Sequence, residues 1–60
     1  MTKIKTFLLD DQDFEQKVND FISNEGANGW NVSSTHTIPQ REMTDNGEMI
    51  IYKFLIVLKK

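Results

Sequence analysis

The side chains best suited to chemistry are few, and the single histidine, His36, is the first candidate. A general base needs a carboxylate to orient it and a nucleophile within reach, but the segment "VSSTHTIP" supplies hydroxyl groups and no acid. A zinc site needs several further ligands, and the chain has neither a cysteine nor a second histidine. We therefore expect a partly buried structural histidine, no catalytic residue, no bound metal and no cofactor.

A cluster of carboxylates in "DDQDFE", residues 10–15, is the second candidate, in this case for calcium. The cluster lacks the regular aspartate spacing, the glycine and the distant glutamate of an EF-hand loop. Asp13 with Gln16 three residues later instead fits a capping box, in which two side chains satisfy free amides at the start of a helix. The acidic cluster therefore predicts a helix start.

The composition limits the remaining classes of function. Sixty residues make one domain, 1–60, and a chain this short buries too little apolar surface to be comfortably stable alone. Seven basic and nine acidic residues give a net charge of −2, which argues against nucleic acid as the main partner. The longest apolar run, "MIIYKFLIVL", is too short to cross a bilayer, and the N-terminal segment has no signal-peptide pattern. We expect a soluble cytoplasmic protein with no membrane partner.

Periodic apolar residues predict three strands and one helix. Residues 3–9 and 49–59 have the composition of strands, and residues 30–38 alternate between larger and hydroxyl-bearing side chains. Between the first two strands, one apolar stripe of helical spacing is formed by Phe14, Val18, Phe21 and Ile22. A right-handed crossover joins these strands, so we predict an α+β fold of βαββ type with strand order 1-3-2 and the helix on one face.

The predicted core consists of the apolar residues assigned to the helix side of the sheet: Ile4, Leu8, Phe14, Val18, Phe21, Ile22, Trp30, Val32, Ile38, Ile50, Tyr52, Phe54, Ile56 and Leu58. One helix cannot cover both faces of a sheet, so a second apolar surface should remain open and mark an interaction site. To this interface we assign Phe7, Leu9, Met49, Ile51, Lys53, Leu55 and Val57.

The turn "TDNGE" sets the register between the second and third strands. A three-residue loop, 45–47, with Gly47 left-handed, pairs Ile38 with Phe54 and keeps the apolar positions on one face. A two-residue turn at 46–47 would put Ile38 on the opposite face. We therefore predict the three-residue loop.

Residues 24–32, "NEGANGWNV", lie where the helix meets the second strand. A phosphate-binding loop has the order strand, glycines, helix, whereas here a helix precedes the glycines and a strand follows them. We therefore expect a structural turn, in which Gly26 and Gly29 take positive φ, Gly26 ends the helix and Trp30 is an aromatic plug.

The same segment, together with the helix before it and the strand ending "YKFLIV", resembles the small bacterial and phage proteins of domain of unknown function 4177. The shared motif is G-x-x-G-W-x-[LV], matched here by Gly26, Gly29, Trp30 and Val32, with Asn31 where an acidic residue is usual. The chain is also similar to small uncharacterised sporulation proteins. The resemblance implies a helix, a glycine–tryptophan turn and a hairpin, and it implies no activity.

These patterns favour a non-enzymatic interaction module, a homodimer through the open sheet face or a strand edge, that binds a larger protein. Its size and acidic balance are similar in character to small phage proteins that inhibit host machinery. Two alternatives stay open. The open face would bind single-stranded nucleic acid through Lys3, Lys5, Lys53 and Phe7. A dimer interface would bind a small ligand through Tyr52, His36 and Arg41.

Overall fold

A computed structural model describes all 60 residues. The chain forms β1 (Thr2–Leu8), α1 (Phe14–Ala27), β2 (Asn31–Thr44) and β3 (Gly47–Lys59). The strands make one sheet in the order β1-β3-β2, in which the central strand β3 is antiparallel to both neighbours. The predicted α+β fold, βαββ with strand order 1-3-2, is confirmed.

Two pairs of aromatic rings hold the helix on one face of the sheet. The ring centroids of Phe14 and Phe54 are 5.5 Å apart, and those of Phe21 and Phe7 are 5.6 Å apart, both in edge-to-face geometry. Phe7 of β1 lies directly opposite Phe54 of β3, and residues paired in this way share a face of the sheet. Because side chains alternate between the two faces along each strand, these contacts and the strand register together show which residues face the helix.

The core on this side is very small. Ile56 and Leu58, with 0% and 1% of their surface exposed, are the only two buried residues. The accessible surface area is 4621 Å², whereas a folded monomer of 7.0 kDa has about 4,000 Å². The radius of gyration, 13.7 Å, also exceeds the ~10.4 Å of a typical domain of this length. A single subunit is therefore extended and leaves an unusually large share of its surface in contact with water.

The sheet has two parts that differ in support. β1 pairs only with residues 53–59 of β3, so three strands and the helix occur together only there. Past that point β2 and β3 continue as a two-stranded ribbon, residues 39–52, in a molecule 44 Å long and 12 Å thick. We call the three-stranded part with its helix the body, and the ribbon the arm.

The turn at the tip of the arm differs from the expected three-residue loop. Thr44 pairs with Gly47, so residues 45 and 46 form the loop, and Ile38 lies opposite Lys53 instead of Phe54. Gly47 has the expected positive φ, 116°, but it is the first residue of β3. The predicted register is wrong by one residue, because neither face of the arm is buried and apolar pairing there does not fix the alignment.

A β-bulge in β2 changes which side chains face the helix. Ser33 has no partner on β3, since the pairing shifts by one residue between Val32 and Ser34. The extra residue reverses the alternation beyond it, so His36 and Ile38 lie on the face away from the helix. The prediction that Ile38 belongs to the core is therefore wrong.

β1 faces the opposite way from the prediction. Phe7 packs against the helix, and successive side chains of a strand point to opposite faces. Ile4 and Leu8 therefore lie on the far face, where both are exposed. Lys3 and Lys5 share the helix side with Phe7. The larger ring of Phe7 decides the orientation, because it gains an aromatic contact that neither aliphatic residue can make.

The arm also removes two residues from the predicted core. Ile50 and Tyr52 lie on the helix side of β3, but the helix does not extend over the arm, and both are about half exposed. Ile22 and Val32 are likewise exposed. The prediction assumed a helix that covers the whole sheet, and α1 covers only the body.

The start of α1 lacks the expected capping box. Asp13 is the N-cap residue, but its side chain makes no capping hydrogen bond. Asp11 replaces it: one carboxylate oxygen accepts the amide of Asp13 at 3.1 Å, and the other accepts from Nζ of Lys17 at 2.6 Å. The acidic cluster thus begins the helix, as predicted, through a different residue.

The end of α1 uses the second glycine of the motif. Gly26 lies within the helix, whereas Gly29 has φ 88° and donates its amide to the Gly26 carbonyl at 3.0 Å. The prediction that Gly26 ends the helix with positive φ is wrong, and the prediction for Gly29 is confirmed. The helix continues to Ala27 because Gly26 adopts ordinary helical geometry.

Candidate interaction surface

The face of the sheet away from the helix has no element covering it, and we call it the open face. It consists of Thr2, Ile4, Thr6 and Leu8 of β1, Asn31, Ser34, His36, Ile38, Gln40, Glu42 and Thr44 of β2, and Gly47, Met49, Ile51, Lys53, Leu55, Val57 and Lys59 of β3. At about 3.3 Å per residue and 4.8 Å between strands, this face spans roughly 500 Å². Seven of its side chains are apolar, and contiguous apolar patches exposed on single chains often mark interaction sites.

The five β3 residues assigned to the interface all lie on the open face, and the two earlier residues do not. Phe7 contacts the helix. Leu9 lies outside β1, which ends at Leu8, and it donates its amide to the Tyr52 carbonyl at 3.1 Å. Ile4 and Leu8 take their place on the open face. The sequence pattern I-x-T-x-L, residues 4–8, indicated this face, but the pattern F-x-L, residues 7–9, indicated the opposite face equally well.

Lys53 and Glu42 are oppositely charged residues of the open face that have no ionic partner within the chain. The three ion pairs of the molecule are Lys3–Glu25, Lys17–Asp11 and Arg41–Glu48. Lys53 is half-buried in the central strand, between Leu8 and Ile38 on its neighbours. The register partners on both sides of this lysine are thus apolar residues.

His36 is exposed on the open face, so the expectation of a partly buried histidine is wrong. Its Nε2 lies 3.1 Å from Oγ of Ser34, two residues earlier on the same face. A base next to a hydroxyl is the start of a nucleophilic pair, but the remaining ring nitrogen, Nδ1, has no hydrogen-bond partner to orient it. The pair forms a polar margin beside Leu55, which lies directly opposite His36.

The other side of the arm is a second exposed surface, and we call it the helix-side arm surface. It consists of Pro39, Arg41, Met43, Glu48, Ile50 and Tyr52. Met43 is 83% exposed and Ile50 52% exposed, and Nε of Arg41 lies 3.1 Å from Oε1 of Glu48. Sequence reasoning missed this surface, because it assigned Ile50 and Tyr52 to the core.

Neither alternative site is assembled on one surface. Lys3, Lys5 and Phe7, proposed to bind nucleic acid together with Lys53, lie on the helix side of the sheet, opposite Lys53. For the proposed small-ligand site, Tyr52 and Arg41 lie on the helix side of the arm and His36 on the open face. Both predicted constellations are therefore wrong as placed.

Trp30 has a structural position at the far end of the body. Nζ of Lys3 lies 4.6 Å from the centre of its ring, and Nζ of Lys60 lies 5.5 Å away. Lys3 also pairs with Oε2 of Glu25 at 2.8 Å. The half-buried ring and these cations close the end of the core near the helix C-terminus, where positive charge is favourable.

The outer surface of α1 is acidic and carries one shallow depression. Its lining is entirely polar: Gln12, Asp13, Glu15, Gln16, Asn19 and Asp20. Nowhere do three or more histidine, aspartate or glutamate side chains converge as metal ligands would. The outer surface of α1 is therefore negative, whereas the open face combines apolar residues, mainly on β3, with mostly uncharged polar residues on β2.

Comparison of the chain with protein-family models, curated proteins and solved structures gives no match. The resemblance to domain of unknown function 4177 therefore stays a prediction. The only helix, α1, is not long and apolar enough to cross a bilayer. The open face and the helix-side arm surface are the two exposed surfaces of the molecule that carry apolar side chains.

Proposed function

We propose that the protein is a non-enzymatic interaction module that forms a two-fold homodimer through its open face and binds a larger protein with its arms. The observation that carries this proposal is the combination of two buried residues with apolar side chains exposed on both sides of the arm. The projecting arm suits a protein that inhibits host machinery in the cytoplasm, as small phage or prophage proteins do.

The dimer follows from the energetics of the single subunit. With only Ile56 and Leu58 fully removed from water, the hydrophobic stabilisation of one chain is small. A chain of this size without disulfides commonly gains the missing stability by association. Stacking two open faces removes their apolar residues from water, and two identical patches meet most simply about a two-fold axis.

The larger partner fits the helix-side arm surface, which stacking of the open faces leaves free. Its exposed Arg41, Met43 and Tyr52 belong to the residue types enriched at protein interfaces. Ile50 adds an aliphatic anchor between them. The surface lies on a narrow ribbon, a shape that enters a groove on another protein.

The test compares two substitutions that place an aspartate on opposite sides of the sheet. Leu55→Asp places a carboxylate on the open face within the proposed dimer interface, and we expect the dimer dissociation constant to rise at least 100-fold. Met43→Asp, on the helix-side arm surface, should leave dimerisation unchanged. Light scattering coupled to size exclusion at micromolar concentration measures both, and circular dichroism monitors the helix.

A wild-type chain that remains monomeric at 100 µM would overturn the proposal. A Leu55→Asp variant that dimerises as well as wild type would show that the open face is not the interface. Once a partner has been captured, Met43→Asp should abolish its binding. Asp20→Asn, on the outer face of the helix, should leave that binding intact.

A further inference from the structure

We propose that in the homodimer Lys53 of each subunit forms an ion pair with Glu42 of the other, with the two-fold axis passing over Ile51. This inference rests on the proposed dimerisation through the open face. It specifies how the two faces are aligned, which the apolar character of the face leaves undetermined.

Lys53 interrupts the apolar residues of β3 on the open face. Its side chain lies in the apolar centre of the open face, with Leu8 and Ile38 directly opposite it and Ile51 and Leu55 two residues away along β3. Any subunit that covers this face also removes water from the ammonium group. A buried charge without a partner strongly destabilises an interface, so the covering surface must supply an acceptor.

Glu42 is the only carboxylate among the strand residues of the open face. It lies opposite Met49 on β3, and it belongs to none of the three ion pairs of the chain. Within one subunit it cannot reach Lys53, because Met49 and Lys53 are four residues, about 13 Å, apart along the strand. The acceptor that Lys53 needs is therefore available only from a second copy.

Symmetry then selects the alignment. A two-fold axis along β3, or an axis across the strands over Lys53, would stack each Lys53 on its own copy, and like charges repel. An axis across the strands over Ile51 instead places Lys53 of one subunit over Met49 and Glu42 of the other. Stacked sheets lie about 10 Å apart and neighbouring strands about 4.8 Å apart. A lysine and a glutamate that extend towards each other span that separation.

The same alignment supports the arms. Met49 and Ile51 of each arm lie on the sheet of the other subunit, which gives the ribbon the second layer that it lacks in one chain. A two-stranded ribbon is marginally stable in water by itself, so this contact orders residues 39–52. The helix-side arm surface stays exposed on both outer sides of the dimer.

A charge exchange in the full chain tests the pairing, with sedimentation equilibrium as the measure of the dimer dissociation constant. Lys53→Glu and Glu42→Lys should each weaken the dimer at least tenfold, because each creates two like-charge contacts across the axis. The double variant Lys53→Glu/Glu42→Lys should return to within about threefold of wild type. In it, each pair across the axis again joins a positive and a negative residue, with the two positions exchanged. The matched control Lys59→Glu/Glu42→Lys should stay weak.

The outcomes separate this inference from the proposed function. A monomeric wild type ends both. A dimeric wild type whose double variant at Lys53 and Glu42 stays weak, or whose rescue comes from Lys59 instead, overturns the alignment alone. If Lys53→Glu fails to fold by circular dichroism, Lys53→Met replaces it. That variant should weaken the dimer by leaving Glu42 unpaired, and Lys53→Met/Glu42→Gln should recover it.

Discussion

The body and the arm are built from the same two strands and differ in almost every physical respect. The body has a third strand, a helix, two aromatic pairs and both buried residues. The arm has two strands, a two-residue turn and no buried side chain. Stability is therefore concentrated in one half of the molecule, and the surface available for recognition in the other.

β3 makes the comparison within a single strand. Its helix-side positions, every second residue from Ile50 to Leu58, are all apolar, and the pattern continues from the arm into the body. Even so, Ile50 is 52% exposed and Ile56 is fully buried. The side chains are identical, so the difference comes only from what lies across from them.

The largest expected effect comes from truncating these two isoleucines. Ile56→Ala removes half of the buried core and should lower the free energy of unfolding by about 2–5 kcal/mol. Ile50→Ala removes the same atoms from a half-exposed site in the arm and should cost under about 1 kcal/mol. Urea titration followed by circular dichroism measures both, at a protein concentration held constant to fix the contribution of association.

Equal losses for Ile56→Ala and Ile50→Ala would contradict the division into body and arm. They would mean that the arm contributes to the cooperative core of the folded chain. A larger loss at Ile50 only at high protein concentration would instead show that its environment is completed by association.

Two glycines with positive φ give the next effect. Gly29→Ala places a side chain at φ 88° in the connection between α1 and β2, where the strain should cost about 1–2 kcal/mol of global stability. Gly47→Ala introduces strain at φ 116°, but at the tip of the arm, so it should fray the turn and change global unfolding much less. Amide hydrogen exchange distinguishes local from global opening.

Gly26→Ala is the matched control, because Gly26 is helical and a methyl group added to its Cα would point into open space. It should raise stability by about 0.5–1 kcal/mol. A loss of stability at Gly26 would mean that the glycine has a role that the geometry of α1 does not reveal.

The smallest effect concerns pH. The hydrogen bond from Lys17 and the amide of Asp13 lower the pKa of Asp11. A carboxyl whose folded pKa is lowered adds stability above its unfolded pKa, about 3.9, and this stability is lost as pH falls through the folded value. The same pair raises the pKa of Lys17, so its contribution is lost only as pH rises beyond the unfolded value, about 10.4.

Asp11→Asn should therefore reduce the acid dependence of the urea midpoint below about pH 4 and lower the midpoint slightly at pH 7. The change should be small because the pair is exposed and screened by water. Glu15→Gln, in the same first turn but without an ion pair, serves as the control. An acid dependence unchanged by Asp11→Asn would assign the effect to other carboxylates.

The fold was predictable because its signals are redundant. The helical spacing from Phe14 to Ile22, the glycines after it and the apolar run of β3 all indicate the same βαββ order. The connection between parallel β1 and β2 then leaves the most apolar strand in the centre. Each of these features involves many residues, so no single substitution of side-chain type would have reversed the prediction.

The assignment of faces was not predictable, because single residues decide it. Ser33 reverses the alternation of β2 as a bulge, and nothing in the segment "NVSSTHT" distinguishes it from its neighbour Ser34. In β1 both parities carry apolar residues, and the contact between Phe7 and Phe21, a residue of another element, selects one of them. The candidate surface therefore kept its β3 residues and exchanged Phe7 and Leu9 for Ile4 and Leu8.

Pro39 has a consequence for the ways in which the sheet can grow. Tyr52 directs its carbonyl towards β1, where Leu9 donates to it, so Pro39 opposite Tyr52 turns its nitrogen to the free edge of β2. That edge, the longest in the molecule, thus lacks a donor near its middle and is interrupted again at Ser33. Strand-by-strand addition into filaments is blocked there, so crowded copies of this chain should remain in finite, closed assemblies.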